Sequence, residues 1–388
     1  MVRTLNRVYL ILFLFCVLMN QTLSAVGPEA ESQPVPYGVE KILDLSIDSP
    51  ITPAVFNYLT EAYEYGVKHS HHMVLIRMNT PGGLVSTTKE ILSLIGDSAI
   101  PTVIWITPEG ASATSAGAII SAGAHLLYMS GGTNIGAATP ILPGGKDETN
   151  KDLKSKAVND LVALVESLSL LRGRNPEHYA EMIREASSYS SKQALEKNII
   201  DGIVSTQKDL IEAMDGRSVS LKGKQIKLSL NQPVLTAFEM DLGQVLLNIM
   251  SDPNLAYILF ILGAALIYFE LQAPGTFIAG SLGVACLILS GIGFHILPVN
   301  FGAFGLILLA FVLLVLEAFV TSFGLLSLAG IASLVTGSLF LFRTDEAYIE
   351  VSRLLIASVS LSVGLFIAAM GLFWLRDAKK NRVPANYY

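Results

Sequence analysis

Two short glycine-containing segments hold the residues best suited to chemistry. One is Gly110-Ala-Ser-Ala-Thr-Ser115-Ala-Gly117, which follows a strand-like run at 102–106 and opens an apolar helical stretch. A serine at such a point sets its hydroxyl beside helix N–H groups that have no intrahelical partner, and these stabilise negative charge. Taken alone, the segment is equally a helix cap followed by small residues for close packing. Ser112 lies in the loop and Ser115 directly before the apolar run 116–120. Ser115 is favoured, because Ala116 and Gly117 leave room for a carbonyl to approach. The other segment is Asn79-Thr-Pro-Gly-Gly83, after the apolar strand 74–78. A Pro-Gly-Gly turn presents backbone N–H groups in a loop free of side chains, which suits an oxyanion hole, although most such turns only redirect the chain.

A nucleophilic serine needs a base. His125 opens a strand-like run and is expected to point along it, whereas His69, His71 and His72 cluster ahead of another strand with no carboxylate pair at metal-ligand spacing. A lysine can serve if burial lowers its pKa toward neutrality. The candidates are Lys146, Lys151, Lys154 and Lys156, and spacing alone does not decide among them. Lys156 opens the apolar face Leu161, Leu164, Val165 and Leu168, so it is the best placed to be partly desolvated.

The elements that must position these residues read as α/β. Strands are expected at 39–47, 73–78 and 101–106, alternating with helices at 53–68, 87–94 and 115–123. Long helices follow at about 152–171 and 176–185, then helix, turn and strand over 191–205. This order argues for a mostly parallel sheet covered by helices. Asn198 falls where a helix must stop, and Asn tolerates the left-handed conformation that a helix C-terminus often needs.

Of the 388 residues, 52% are hydrophobic and 15% charged, so membrane spans are expected beside a soluble domain. Net charge is −6 with no long basic block, which argues against nucleic-acid binding. The two cysteines, Cys16 and Cys286, lie in apolar runs and suggest no disulfide framework. Residues 1–25 have a cationic start, an apolar run and a small-residue site, the three regions of a signal peptide. Residues 26–36 read as a linker, 37–235 as the globular α/β domain and 236–253 as a second linker. Residues 254–375 hold about five apolar runs, and 376–388 form a cationic tail expected to be cytoplasmic. Five spans fit an exported domain and a cytoplasmic C-terminus. A weak repeat runs through the membrane region: thirteen positions after Glu270 stands Gly283-Val-Ala-Cys-Leu287, and thirteen after Glu317 stands Gly330-Ile-Ala-Ser-Leu334. The two glutamates are read as interfacial residues that cap the loops beside them.

Together these motifs resemble the long-form NfeD membrane proteases, relatives of the Clp protease proteolytic subunit and of signal-peptide peptidase A. The likeness spans about 37–345. Besides the two glycine segments it rests on Asn134-Ile-Gly-Ala137, Leu171-Arg-Gly-Arg-Asn175 and Ala194-Leu-Glu-Lys-Asn-Ile-Ile-Asp201, and on the membrane signatures Phe269-Glu-Leu-Gln-Ala-Pro-Gly275 and Ser322-Phe-Gly-Leu-Leu326. The resemblance implies a Clp-protease/crotonase-like soluble domain followed by an all-α, multi-span membrane domain. It implies Ser115 as nucleophile, Lys156 as base, and backbone N–H groups around Gly82, Gly83 and Ala116 as oxyanion hole, with no cofactor and no metal. It also implies a polypeptide substrate with an apolar segment, a stomatin-like membrane partner and a homo-oligomer. Long-form members usually close with a small soluble β-barrel, to which this sequence does not extend; Thr321 and Asn198 stand where relatives often have Pro and Gly. A crotonase-type acyl-CoA enzyme, disfavoured by export, and a non-catalytic scaffold for a stomatin-like protein are the rival readings.

Overall fold

The expected strands assemble into one seven-stranded sheet. The computed structural model describes residues 34–140, 148–272, 277–317, 319–320, 322, 324–342 and 350–380. Its first half runs β1 (Val35–Asp48), α1 (Pro53–Lys68), β2 (Met73–Asn79), α2 (Val85–Asp97), β3 (Thr102–Ile106), β4 (Ser112–Thr114), α3 (Ala116–Gly123), β5 (Leu126–Met129) and β6 (Asn134–Gly136). Then come α4 (Glu148–Leu171), α5 (Pro176–Arg184), β7 (Ser188–Ser190), α6 (Ser191–Glu196), β8 (Gly202–Ile203), α7 (Gln207–Met214), β9 (Ser218–Leu221) and β10 (Lys224–Ala237). The sheet order is β8-β5-β3-β2-β1-β10-β9, parallel throughout except for the β9–β10 hairpin. Alternation along β2 shows why both faces are covered. Val74, Ile76 and Met78 enter the core beneath α1–α5, while Met73 and Leu75 enter a second core closed by Leu210 and Met214 of α7.

A second sheet of three short strands, β4-β6-β7, was not legible in the sequence, because three-residue strands carry no periodicity. It matters here because β4 leads directly into Ser115. Strand β1 begins at Val35, two residues inside the expected linker, where it pairs with β10. Asn198 sits at φ 55°, the expected left-handed stop.

The segment 236–253, read as a linker, contains helix α8 (Leu242–Met250), started by a capping box between Asp241 and Gln244. Helices α9 (Pro253–Gln272), α10 (Ile278–Ile296), α11 (Phe301–Glu317), α12 (Leu325–Leu339) and α13 (Arg353–Lys380) follow. By length and composition, Pro253–Leu271 and Ile278–Ile296 are long and apolar enough to cross a bilayer. The 17 residues of α11 and 15 of α12 give about 25 and 22 Å, against a hydrocarbon core of roughly 30 Å. The apolar stretch described in α13 is Arg353–Ala369. Each of the five expected apolar runs carries a helix, α9 to α13; among the described residues two of these meet the length and composition of a full span, and three are shorter apolar stretches. Residues 1–25, the signal-like segment, lie outside the described residues, as does 381–388 of the expected tail.

Candidate active site

Ser115 occupies a conformation that non-glycine residues seldom adopt, φ 53° and ψ −114°. Such a backbone costs on the order of 1–3 kcal/mol and persists only where surrounding contacts enforce it. Two contacts do so: the Ser115 N–H donates to the Gly136 carbonyl at 3.0 Å, and Thr114 N donates to Thr80 O at 3.1 Å. The small sheet thus fixes the chain on the near side of the serine, and α3 fixes it on the far side. Ser115 is the N-cap residue of α3 yet makes no side-chain cap hydrogen bond. Its hydroxyl is left for other work, and the N–H of Ala116, at the first helical position, has no intrahelical acceptor. Ser112 differs: its Oγ donates to Asn134 Oδ1 at 2.6 Å, which ties it into the small sheet.

The glycine loop lies directly against this serine. A Cβ on Gly82, at φ 136°, would sit 2.8 Å from Ser115 Cβ and 3.3 Å from its Oγ. A Cβ on Gly83 would lie 2.2 Å from Ile51 Cβ. Both positions therefore require glycine. The two residues do not offer the same groups, however. The Gly82 N–H donates to Thr80 Oγ1 at 3.2 Å. Its contribution is the space it leaves beside Ser115. Gly83 pairs with Ile51 in a parallel bridge that uses Gly82 O and Leu84 N. That pattern turns the Gly83 N–H away from Ile51. Neither the Gly83 N–H nor the Ala116 N–H has a backbone acceptor among the described residues.

The other end of α3 is anchored by residues whose role the sequence reading missed. Arg172 Nε donates to Gly123 O at 3.0 Å. Arg174 Nη1 donates to Ser121 O and Ala124 O, and its Nη2 pairs with Asp201 at 2.7 Å. Two guanidinium groups therefore satisfy the C-terminal carbonyls of the helix headed by Ser115, where cations are favoured. Burial, then the neighbouring Arg174, lowers the pKa of Arg172 to about 10. The signal was visible in Arg172-Gly-Arg174 and Asp201, but nothing in their spacing said which helix they would cap.

His125 stands just beyond this C-terminal end, away from Ser115. Its Nδ1 accepts the Thr102 N–H at 3.1 Å, and burial, then Arg172 and Arg174, push its pKa down to about 3. It is a neutral structural acceptor. His72 Nδ1 accepts from the backbone at Glu40 and Lys41, and His178 pairs with Glu181 at 2.8 Å. No three metal-ligating side chains converge among the described residues. Lys156 lies in α4, which packs against α3 through Leu161, Val162 and Val165. The expected partial burial of Lys156 is not seen: its side chain is exposed. It lies one turn before Asp160, whose carboxyl is held below its ordinary range chiefly by a 2.6 Å bond from Lys89 of α2.

Next to the glycine loop opens a cavity of about 220 Å³. Ser49, Pro50, Thr52 and Leu84 line it from the α/β domain; Asn248, Pro253 and Leu297 are among those lining it from the helices that follow. Leu84, one residue past Gly83, also packs on the apolar core of the helical region.

Two family models match the chain, the NfeD1b N-terminal domain over residues 41–220 and the NfeD integral membrane domain over 254–375. The chain belongs to the NfeD family. It is 28% identical over 343 residues to the membrane-bound protease PH1510 of Pyrococcus horikoshii, covering 86% of this chain and 78% of that relative. It is 24% identical over 302 residues to the membrane protein NfeD1b of Bacillus subtilis, covering 77% of this chain and 66% of that protein. A lysine-to-alanine mutant of the 1510-N membrane-bound stomatin-specific protease, solved with a substrate peptide, superposes with a TM-score of 0.50 at 24% identity. That match covers 55% of this chain and 98% of the other, and it shows the fold. This NfeD protein thus joins a Clp-protease-like α/β domain to the family's helical membrane region.

The NfeD membrane region repeats one device at an interval of 47 residues. Glu270, at the end of α9, accepts the N–H groups of Phe277 and Gly280 at the start of α10. Glu317, at the end of α11, accepts those of Gly324 and Ser327 at the start of α12, with Ser322 Oγ as a third donor. Packing repeats at the same interval. Gly283 meets the carbonyl of Gly263 and Gly330 that of Ala310; Ser290 bonds the carbonyl of Ala256, and Gly337 meets that of Ala303. The weak sequence repeat is thus two helical hairpins of one design, each with its glutamate bonded to the start of the following helix.

Proposed function

We propose that this NfeD protein is a membrane-anchored serine endopeptidase that cuts extended, apolar polypeptide segments. The observation that carries the reading is Ser115: a strained, uncapped serine at a helix N-terminus, flanked by two open backbone donors. In this mechanism Ser115 attacks the peptide carbonyl. The N–H groups of Gly83 and Ala116 hold the oxyanion, and Gly82 leaves room for the tetrahedral carbon. Lys156, uncharged, takes the serine proton and returns it to the leaving amine. Because Lys156 is exposed in the single chain, its activation requires cover from bound substrate or from a second copy, consistent with a homo-oligomer.

The cavity between Leu84, just past the glycine loop, and the helix ends supports a substrate that approaches the serine from the membrane side. The 28% identical relative is a membrane-bound protease, and the 1510-N protein is named as specific for stomatin. A stomatin-like membrane protein is therefore the proposed partner here. We also propose removal of a signal segment near residue 25, an exported protease domain bounded near residues 37 and 235, and a cytoplasmic C-terminus. The exposure of Lys156 favours the second reading, a scaffold that binds such a partner without cutting it.

The test is peptidase activity of the full chain in detergent on a fluorogenic apolar peptide, with labelling by a serine-directed acylating reagent. Ser115→Ala and Lys156→Ala should each abolish turnover. Full activity in either variant removes that residue from the mechanism. Absence of both turnover and labelling in the unmutated protein leaves the scaffold.

A further inference from the structure

Helix α8 carries an apolar face that no other part of the described chain covers. Leu242 is 90% exposed, Val245 39%, Leu246 42% and Ile249 48%. These four stand at i, i+3, i+4 and i+7, one stripe along a helix of nine residues. The opposite side is fastened on protein. Gln244 Nε2 donates to Glu61 Oε2 of α1 at 2.7 Å, and Met250 O lies so close to Gly293 of α10 that a Cβ there would approach it to 2.7 Å. The orientation of the stripe is therefore fixed by polar and close-packed contacts, and its exposure is not a matter of free rotation.

We infer that α8 lies in the headgroup boundary of the bilayer, with this stripe toward the acyl chains. Continuity decides the occupant. Only Ser251 and Asp252 separate α8 from α9, whose apolar stretch begins at Pro253. A stripe this near the mouth of a span meets lipid first. The helix contains no Lys or Arg, so its attachment is apolar and does not depend on anionic headgroups. Through Glu61 the helix then sets the height of the α/β domain above the membrane. The cavity beside Leu84, lined by Asn248 and Ser251, is held at the bilayer surface. This inference concerns the docking of the domain and stands whether or not Ser115 is a nucleophile.

The experiment uses the full chain in phosphatidylcholine nanodiscs, with Cys16 and Cys286 replaced by alanine. A nitroxide is attached in turn at positions 242, 245, 246 and 249, and at Glu64 of α1 as an exposed control. The expected result is collision with oxygen rather than with a water-soluble nickel chelate at all four stripe positions. Their depth should be about 5–10 Å below the phosphates. The control should collide with the chelate, and the depths should not change when phosphatidylglycerol is added. Chelate access at the stripe would overturn the inference. So would shielding from both reagents with dipolar broadening between copies, which assigns the stripe to a second chain, or insertion only with the anionic lipid.

Discussion

Helices α3, α10 and α12 all begin beside a residue at positive φ: 53° at Ser115, 55° at Phe277 and 90° at Gly324. Each start exposes N–H groups that the helix cannot satisfy and that favour negative charge. In the membrane region that charge is built in. Glu270 and Glu317 fill the starts of α10 and α12 by accepting their N–H groups. At α3 the place is left empty, and a serine stands in it without a cap bond. The difference separates a structural helix end from a reactive one. A filled end is satisfied; an open end beside a nucleophile can hold charge that exists only in a transition state.

Relaxing the open end should break the comparison most strongly. Ser115→Gly removes the nucleophile and the strain together. Turnover should fall at least about 10³-fold, while stability rises by about 1 kcal/mol, as measured by peptidase assay and thermal unfolding. A variant that loses activity and stability together would mean that the backbone there is not strained. Gly82→Ala should lower kcat by about 10²-fold and also lower the melting temperature, because its Cβ intrudes beside Ser115 at a φ of 136° that disfavours any side chain. An unchanged kcat would show that the space at Gly82 is not used.

The far end of the same helix offers a milder perturbation. Arg174→Met removes the cationic partner of Asp201, which keeps only the Leu127 N–H, and uncaps the carbonyls of Ser121 and Ala124 at the end of α3, at a cost on the order of 3 kcal/mol. It should lower kcat about 10-fold through displacement of Ser115, with KM unchanged; Arg174→Lys should restore part of both. Among the filled ends, Glu317→Ala should lower the melting temperature in detergent by a few degrees without altering hydrolysis of a soluble peptide. Phe277→Gly should instead raise it slightly, making the first hairpin resemble the second.

The smallest effect concerns pH. The ring of His125 is neutral when folded, with a pKa near 3, and accepts a proton near 6.5 when unfolded. Its contribution to stability is intact above pH 6.5 and is lost as pH falls toward 3. The melting temperature should therefore decline on acidification below pH 6.5, and less steeply in His125→Gln, read by calorimetry at pH 7 and pH 5.

Much of this arrangement could be read from the chain alone. Apolar alternation and helical spacing mark β2, α1 and α5 within a residue or two, because burial imposes those periods directly. Small residues around Ser115 and the paired glycines mark a place where backbones approach closely, and Gly82 and Gly83 prove to be forced by Ser115 and Ile51. The spacing of the two glutamates likewise anticipates a repeated hairpin. What the chain could not express were facts about which groups meet. Only the fold turns the Gly83 N–H outward while occupying that of Gly82, aims Arg172 and Arg174 at the serine helix, leaves Lys156 in solvent, and exposes one stripe of a segment that reads as linker. Periodicity records whether a side chain is buried; partners some 50 residues apart, as Arg172 and Gly123 are, are chosen by packing.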